Sequence, residues 1–289
     1  QQLFQRAARL TVGNLDGSTA FQTSFIPGSS VPGLRVSFQI KRSLRQEPAS
    51  AHIKLYNASR DHRAQMKIRY APVVLEAGYT NTIGRIFSGQ ARYIDHAREG
   101  PDWVTSIECG DGEVAYRYAR FVESYAPGTS VLQVAQRLIA AIGPMTAASA
   151  AVLEGALTDQ FARGYSVRGT AAQELHALLS GRGLAFSVQH GKVQVLQDGQ
   201  ATTDTAVLLT PDTGLLGSPE HGTPDPSEPR SASRTLKFRC LIQPTLNPGG
   251  LVQIKSQSAQ GLLRVLSIET SGDTHGGDWA MTCEGAPRS

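Results

Sequence analysis

The sequence is short of the features that most often identify a metalloprotein or a membrane protein. Its 289 residues include only three cysteines, widely separated and without metal-ligand spacing. No run approaches the roughly 18 consecutive apolar residues of a membrane helix, and residues 1–10 lack the charged head and apolar core of a signal peptide. Charged residues make up only 18%. We therefore expect a globular chain with no membrane span and no metal-thiolate centre.

The few cysteines are predicted to be packing residues. Cys240 and Cys283 fall in apolar, strand-like runs, where a thiol usually behaves as a small buried hydrophobe. Reactive thiols are not expected. The sequence leaves open a disulfide between Cys240 and Cys283, which would require their two strands to pair.

Basic charge is modest and scattered. The net charge is +4, from 28 basic and 24 acidic residues, and the densest basic patch consists of Arg35, Lys41, Arg42 and Arg45. A protein that grips duplex DNA commonly neutralises about 6 to 10 phosphates from a concentrated stripe. We therefore interpret the patch as a solvated strand face. Diffuse, non-specific contact with DNA passing through a ring is compatible with this charge.

What the sequence does contain is strand patterning at both ends. Alternating apolar and polar residues, separated by Gly, Pro, Asn and Asp, predict antiparallel strands joined by turns. The first region predicts one short helix within residues 57–66, and six strands: Arg9–Val12, Leu34–Arg42, Ala51–Tyr56, Val73–Tyr79, Arg85–Ala97 and Trp103–Glu108. The last region predicts four more strands: Thr235–Ile242, Leu251–Gln257, Leu262–Thr270 and Trp279–Glu284.

The middle of the chain has a different character. A 3,4 spacing of apolar residues predicts a helix from Val131 to Gly143, and a second helix opens at Thr170. A tight hairpin is predicted around His190-Gly191. Residues 212–233 are rich in Pro and Gly and predict a loop or linker. The fold class is therefore mainly β with inserted helices (β+α).

The densest group of catalytic-looking side chains is Asp273, His275 and Asp278. They could be metal ligands, or a base with an orienting carboxylate. However, they stand in Ser-Gly-Asp-Thr-His-Gly-Gly-Asp-Trp, and Gly and Asp are the residues that turns require. No nucleophile elbow or paired-histidine motif accompanies them. We interpret them as a structural turn and predict no catalytic, cofactor-binding or metal-binding residue. The ring of Trp279 is expected to pack inward.

The order of these segments resembles the baseplate hub proteins of tailed bacteriophages. The resemblance covers nearly the whole chain. It rests on Leu-Asn-Pro-Gly-Gly-Leu-Val at residues 246–252, on Gly-Asp-Thr-His-Gly-Gly-Asp-Trp at residues 272–279, and on four segments of the first half. These four are Val36–Ile40, Ala51–Asn57, Val74–Tyr79 and Phe87–Gly89.

The resemblance implies an assembly role. Hubs of this kind carry two tail-tube-like antiparallel β-barrel domains per chain and form a homotrimeric ring, which joins the hexameric tail tube to a trimeric spike or fibre and continues the DNA channel. The implied location is the virion, after assembly in the host cytoplasm. No catalytic residue or cofactor is implied. The domains would be a barrel at residues 1–122, a helix and hairpin module at 123–211, a linker at 212–233, and strands completing a second barrel at 234–289.

Two other functions stay open on the sequence alone. The first is a secreted or cell-surface carbohydrate-binding module, which predicts an exposed Trp103 or Trp279. The second is a metal-assisted hydrolase that uses Asp273, His275 and Asp278.

Overall fold

In a computed structural model of the chain, the described residues are 5–30, 33–44, 48–66, 68–112, 114, 118–197, 199–202, 205–221 and 235–288. The first part contains β1 (Arg6–Gly13), β2 (Thr19–Phe25), β3 (Val36–Ser43), β4 (Ser50–Tyr56), α1 (Arg60–Gln65), β5 (Pro72–Tyr79), β6 (Gly84–Glu99) and β7 (Asp102–Gly110). The middle contains β8 (Arg120–Tyr125), α2 (Val131–Ile142), α3 (Ala147–Ala156), β9 (Tyr165–Thr170), α4 (Ala171–Ser180), β10 (Leu184–Gln189) and β11 (Lys192–Gln197). The last part contains β12 (Ala206–Leu209), a 3-10 turn (Pro211–Thr213), β13 (Leu215–His221), β14 (Leu236–Leu241), β15 (Leu251–Lys255), β16 (Gln260–Asp273) and β17 (Trp279–Pro287).

The chain divides into two compact units, and the first is built on one large sheet. This unit comprises residues 1–43, 50–110 and 201–289. Its 13 described strands follow the order β13-β14-β17-β16-β3-β4-β7-β6-β5-β1-β2, with β15 also paired to β16 and β12 paired to β15. Strand β16 lies antiparallel to β3, with Thr270 opposite Ile40. The first and last parts of the chain therefore share one sheet.

The described residues form no closed barrel, and this seam joins strands that the prediction assigned to two barrels. The described strand order is an open path, in which the end strands β2 and β13 each pair with one described neighbour. The alternation in β3 and β16 was correctly identified, because Ile40 and Ile268 are buried and their neighbours face outward. Alternation shows which face of a strand is buried, but it does not show which strand lies alongside.

The second unit is a small α/β module with its own core. It comprises residues 44–49 and 111–200, so it both begins and ends earlier than the predicted 123–211. The apolar faces of α2 and α4 meet in this core, together with the buried side chains of the β10–β11 hairpin. The hairpin turn matches its prediction, since His190 and Gly191 both have positive φ. The turn is fixed by Asp111, whose buried carboxylate accepts a 2.7 Å hydrogen bond from the Gly191 amide.

The predicted linker is partly ordered sheet. Residues 211–213 form the 3-10 turn, and β13 then pairs with β14, where Leu215 lies opposite Cys240. Leu215 is buried, so this segment makes an apolar contact that its Pro and Gly content does not predict. The rest of the predicted linker, residues 222–233, lies outside the described residues.

The basic patch on β3 is not a solvated face throughout. Arg42 is 3% exposed, and its guanidinium donates to Asn247 Oδ1 at 2.8 Å and to the Leu246 carbonyl at 3.2 Å. A buried guanidinium is tolerated only when oxygen atoms satisfy its donors. Lys41 instead makes an exposed ion pair with Glu269 at 3.8 Å. Arg45 lies outside the described residues.

The three cysteines are buried and free, as packing residues would be. Cys240 and Cys283 lie on the paired strands β14 and β17. A side-chain hydrogen bond with Cys240, together with burial, raises the pKa of Cys283 well above its usual range, and burial also raises the pKa of Cys109. Within the described residues, no helix is long and apolar enough to span a membrane.

Replacing Leu138 in α2 with Ala should destabilise the second unit. Leu138 is fully buried in its core, and removing a buried Leu side chain commonly costs about 2–5 kcal/mol of unfolding free energy. Urea unfolding followed by circular dichroism measures this loss. Gln136→Ala, at an exposed position of the same helix, is the matched control and should change stability by less than about 0.5 kcal/mol. Equal stability of the two variants would contradict the assignment of this core.

Candidate functional site

The candidate site is the turn that connects β16 to β17, at the edge of the β3–β16 seam. Backbone hydrogen bonding closes the turn between the Asp273 amide and the Asp278 carbonyl, at 3.1 Å. The Asp273 side chain also accepts a 2.9 Å hydrogen bond from the His275 amide, which is the Asx-turn geometry that Asp favours. Gly277 has a φ of 69°, a conformation that glycine adopts at little cost. The predicted turn is therefore present.

Asp273 is held by an arginine from β3. Arg35 Nη2 lies 2.7 Å from Asp273 Oδ2, and Arg35 Nε lies 3.2 Å from both carboxylate oxygens. The same guanidinium lies over the Tyr56 ring, 4.4 Å from its centroid. Burial alone would raise the pKa of Asp273, but the hydrogen bonds from Arg35 and the His275 amide outweigh it, and the net shift is downward. The hydrogen bond with Asp273 likewise raises the pKa of Arg35. The carboxylate is therefore a charged structural partner.

A second arginine, from β1, holds the turn by its backbone. Arg6 donates to the Asp273 carbonyl at 2.9 Å and to the Gly277 carbonyl at 2.8 Å. Its guanidinium also lies 5.6 Å from the centroid of the Trp279 ring. Arg6 and Arg35 thus bind the same turn from two strands of the first part of the chain. We call Arg6, Arg35, Asp273 and Trp279 the arginine clasp.

The base of the arginine clasp is closely packed. Trp279 is 5% exposed, as its predicted inward orientation requires, and its indole Nε1 donates to the Gly78 carbonyl at 3.1 Å. Phe38 meets the Trp279 ring edge to face, with centroids 5.4 Å apart. A Cβ on Gly272 would lie 2.4 Å from Phe38 Cζ and 2.8 Å from Trp279 Cε3. Glycine is therefore required at this position for the two rings to close over the strand.

The three residues that could have formed a chemical site are not brought together. Asp273 pairs with Arg35, whereas Asp278 pairs with Arg239 of β14 at 2.7 Å. His275 lies against Phe25, with ring centroids 5.6 Å apart, and its Nδ1 is 3.1 Å from Thr274 Oγ1. Among the described residues, no group of three or more His, Cys, Asp or Glu side chains could hold a metal ion. The described geometry is typical of a structural contact that stabilises the sheet, more than of a reaction centre.

Sequence reasoning missed the residues that organise this turn. Arg35 is predicted as part of a solvated strand face with Lys41 and Arg42, and the sequence patterns assign no role to Arg6. Arg35 lies 238 positions from Asp273, and no local pattern links such distant residues. The available signal was Asp273 itself, since a carboxylate in a half-buried turn requires a cationic or hydrogen-bonding partner.

No protein-family model matches the sequence, and no curated protein sequence matches it either. Solved structures with a similar fold do exist. The 43 kDa tail protein of prophage MuSo2 from Shewanella oneidensis superposes with a TM-score of 0.63 at 11% identity, over 99% of this chain and 100% of that one. A tail protein from Neisseria meningitidis gives a TM-score of 0.63 at 11% identity, over 98% of this chain and 97% of that one.

The chain has the fold of phage tail proteins. The resemblance inferred from the sequence is therefore confirmed at the level of the fold. The E. coli c3393 protein also shares it, with a TM-score of 0.62 at 13% identity over 91% of this chain and 76% of that one. That protein is described as a component of the type VI secretion system with structural similarity to the T4 bacteriophage tail proteins gp27 and gp5.

Replacing Asp273 with Asn should destabilise this tail-protein fold in a pH-dependent way. Asn keeps an oxygen for the His275 amide but loses the charge that binds Arg35, and a hydrogen bond to a charged group contributes about 1.5–3 kcal/mol. Since Arg35 is 41% exposed, solvent screening reduces the expected loss at pH 7 to about 1–2 kcal/mol. Urea unfolding at pH 7 measures it.

The sign of the pH effect follows from the lowered pKa. The ionised carboxylate stabilises the folded chain above its ordinary pKa of 3.8, and this contribution is lost as the pH falls through the lower folded value. The difference between wild type and Asp273→Asn should therefore narrow below that pH. Asp278→Asn, which removes the exposed pair with Arg239, is the control and should cost at most about 1 kcal/mol. A larger loss for Asp278→Asn than for Asp273→Asn would contradict the arginine clasp.

Proposed function

We propose that the chain is a structural subunit of a phage-type tail, acting at the baseplate as a hub. Three copies form a ring that joins a hexameric tail tube to a trimeric spike or fibre complex and continues the DNA channel. The two halves of the sheet, β1–β7 and β12–β17, take two equivalent tube-like places in that ring. The place of action is the virion, after assembly in the host cytoplasm.

The observation that carries this proposal is the extent of the fold likeness. It spans 99% of this chain and 100% of the MuSo2 43 kDa tail protein, so it includes the sheet, the inserted helices and the closing hairpin together. A match to a lone sheet would be compatible with many functions. Agreement over the whole length with two tail proteins favours a shared architectural role.

The open sheet also favours assembly. Its end strands β2 and β13 each pair with one described neighbour, and unpaired strand edges recruit further strands unless they are protected. Strand β13 is protected by Pro219 and by the irregular register between Leu216 and Glu220. Strand β2 contains no proline, so it is the end strand better suited to a neighbouring subunit. Ring formation would satisfy this edge.

Neither alternative function fits the described side chains well. A carbohydrate-binding module needs an aromatic face open to a sugar. Trp279 is buried in the arginine clasp. Trp103 is 41% exposed, as this alternative predicts, but the guanidinium of Arg63 covers one face of its ring, 3.9 Å from the centroid. A hydrolase using Asp273, His275 and Asp278 needs these groups to converge, but the two carboxylates are engaged by different arginines.

The oligomeric state tests the proposal. Purified chain alone should form particles of three times the 30.9 kDa chain mass by light scattering. Mixing with candidate tube and spike proteins should give larger complexes. These particles should appear as rings with threefold symmetry in electron micrographs, because a hub must match a trimer below and a hexamer above.

The Asp273→Asn variant serves as a control for specificity. It weakens the closing hairpin without removing a strand, so rings should still form, with lower thermal stability. A chain that stays monomeric with every tail partner, at concentrations where it is fully folded, would sink the hub proposal.

A further inference from the structure

The hairpin of β6 and β7 has an open strand edge on β6, since β4 pairs with β7 as far as Val104 but β5 ends earlier; its tip, residues 98–103, extends beyond both neighbours as a two-stranded ribbon. Strand β5 pairs with β6 only as far as Gln90, where Pro72 lies opposite. From there to the turn at Gly100, β7 is the one described strand paired with β6. The second half of β6 thus has a strand on one side only, the arrangement that accepts an added strand.

Strand alternation separates the charges at the ribbon end onto two faces. On one face, Glu99 lies opposite Asp102, and on the other Arg98 lies opposite Trp103. The acidic face is internally satisfied, since Lys54 Nζ binds Glu99 at 3.1 Å and Asn57 Nδ2 donates to Asp102 at 2.9 Å. The basic face has no such pairing within the described residues, where the Arg98 side chain makes no ion pair or hydrogen bond.

Helix α1 adds further arginines to this basic face. Arg63 stacks on Trp103 with its guanidinium carbon 3.9 Å from the ring centroid, and its buried Nη1 has no hydrogen-bond partner. Arg60 lies three residues earlier on the helix and is exposed, on the same side. Neither arginine side chain forms an ion pair with a described carboxylate. Trp103 remains 41% exposed at the centre. We call Arg60, Arg63, Arg98 and Trp103 the ribbon patch.

We propose that the ribbon patch is a docking site for an extended acidic segment of a partner protein. The segment adds to the open side of β6, and the carboxylates on one of its faces bind Arg98 and Arg63, beside Trp103. Tryptophan and arginine are the residues that most often dominate protein interfaces. Three arginines fall short of the roughly 6 to 10 phosphate contacts typical of duplex DNA binders. This site is distinct from the arginine clasp and does not depend on the hub role.

Two-fold pairing of β6 with the β6 of a second copy is a poorer use of the edge. Two-fold antiparallel pairing of β6 with itself places residues of equal parity opposite each other. A register centred on Asp95 sets Arg92 against Arg98, and one centred on Ala97 sets Asp95 against Glu99. Like charges directly opposite each other destabilise a strand pair. The intermediate register leaves Arg98 opposite Ile94, again without a carboxylate. An acidic strand from another protein satisfies the ribbon patch without these conflicts.

The test uses a fluorescein-labelled ten-residue peptide of alternating Glu and Val, titrated against the full chain at low salt and followed by fluorescence anisotropy. Saturable binding is expected, and Arg98→Glu or Arg63→Glu should each weaken it about tenfold or more, because charge reversal replaces an attraction with a repulsion. Arg120→Glu is the matched control, an exposed arginine of the second unit without a described carboxylate partner. It should leave affinity unchanged, and a Lys-and-Val peptide should not bind.

Hydrogen exchange tests the strand addition separately. The Glu-and-Val peptide should slow amide exchange in the second half of β6, and Arg98→Gln, which keeps a polar side chain, should retain the fold by circular dichroism while weakening the peptide. Several results would overturn the proposal: no saturable binding, equal loss with Arg120→Glu, or no protection of β6. It also fails if a ten-nucleotide oligothymidylate binds as tightly with the same variant sensitivity, or if Arg98→Glu changes self-association instead of peptide affinity.

Discussion

The ion pair between Arg35 and Asp273 is the interaction on which the large sheet depends. It joins β3 to the end of β16 across the seam where the first and last parts of the chain meet. A bidentate pair fixes direction as well as distance, so it sets the orientation of the closing turn relative to β3. Arg6 then binds the turn carbonyls, and Trp279 fills the space beneath. Without this pair, the seam would keep its backbone hydrogen bonding, the buried Ile40 and Ile268, and the exposed contacts of Gln39 and Lys41 with Glu269.

The same pair explains why charged residues in a glycine-rich turn need not indicate catalysis. A reaction centre keeps its polar groups available to a substrate. Here the carboxylate of Asp273 is engaged by Arg35 and by the His275 amide, and Asp278 faces Arg239. The buried Arg42 follows the same rule, since it binds the Leu246 carbonyl and the Asn247 side chain. This contact lies within Leu-Asn-Pro-Gly-Gly, one of the segments that carried the resemblance to hub proteins.

Local patterns predicted local structure well. The ten predicted strands, the two central helices and the His190-Gly191 turn are present, because alternation, caps and turn residues act over a few positions. The sequence did not predict strands β2, β8, β9, β12 and β13 or helix α3; residues 19–25 and 147–156, for example, lack a clear period. The pairing of β16 with β3 was not predictable from local patterns. The sequence marked Asp273 as an unusual residue, but its pairing with Arg35 could not be recognised, because the two residues are 238 positions apart.

The long sequence separation of that seam has a consequence for how the protein reaches its folded state. Strand β3 is complete by Ser43, but the strand that covers it ends at Asp273. Contacts between distant residues form slowly, because a long loop must close before they stabilise anything. During synthesis, the side of β3 that later pairs with β16 stays open until β16 has emerged. Until β16 is made, the large sheet is therefore incomplete, and β3 lacks the strand that pairs with it on that side.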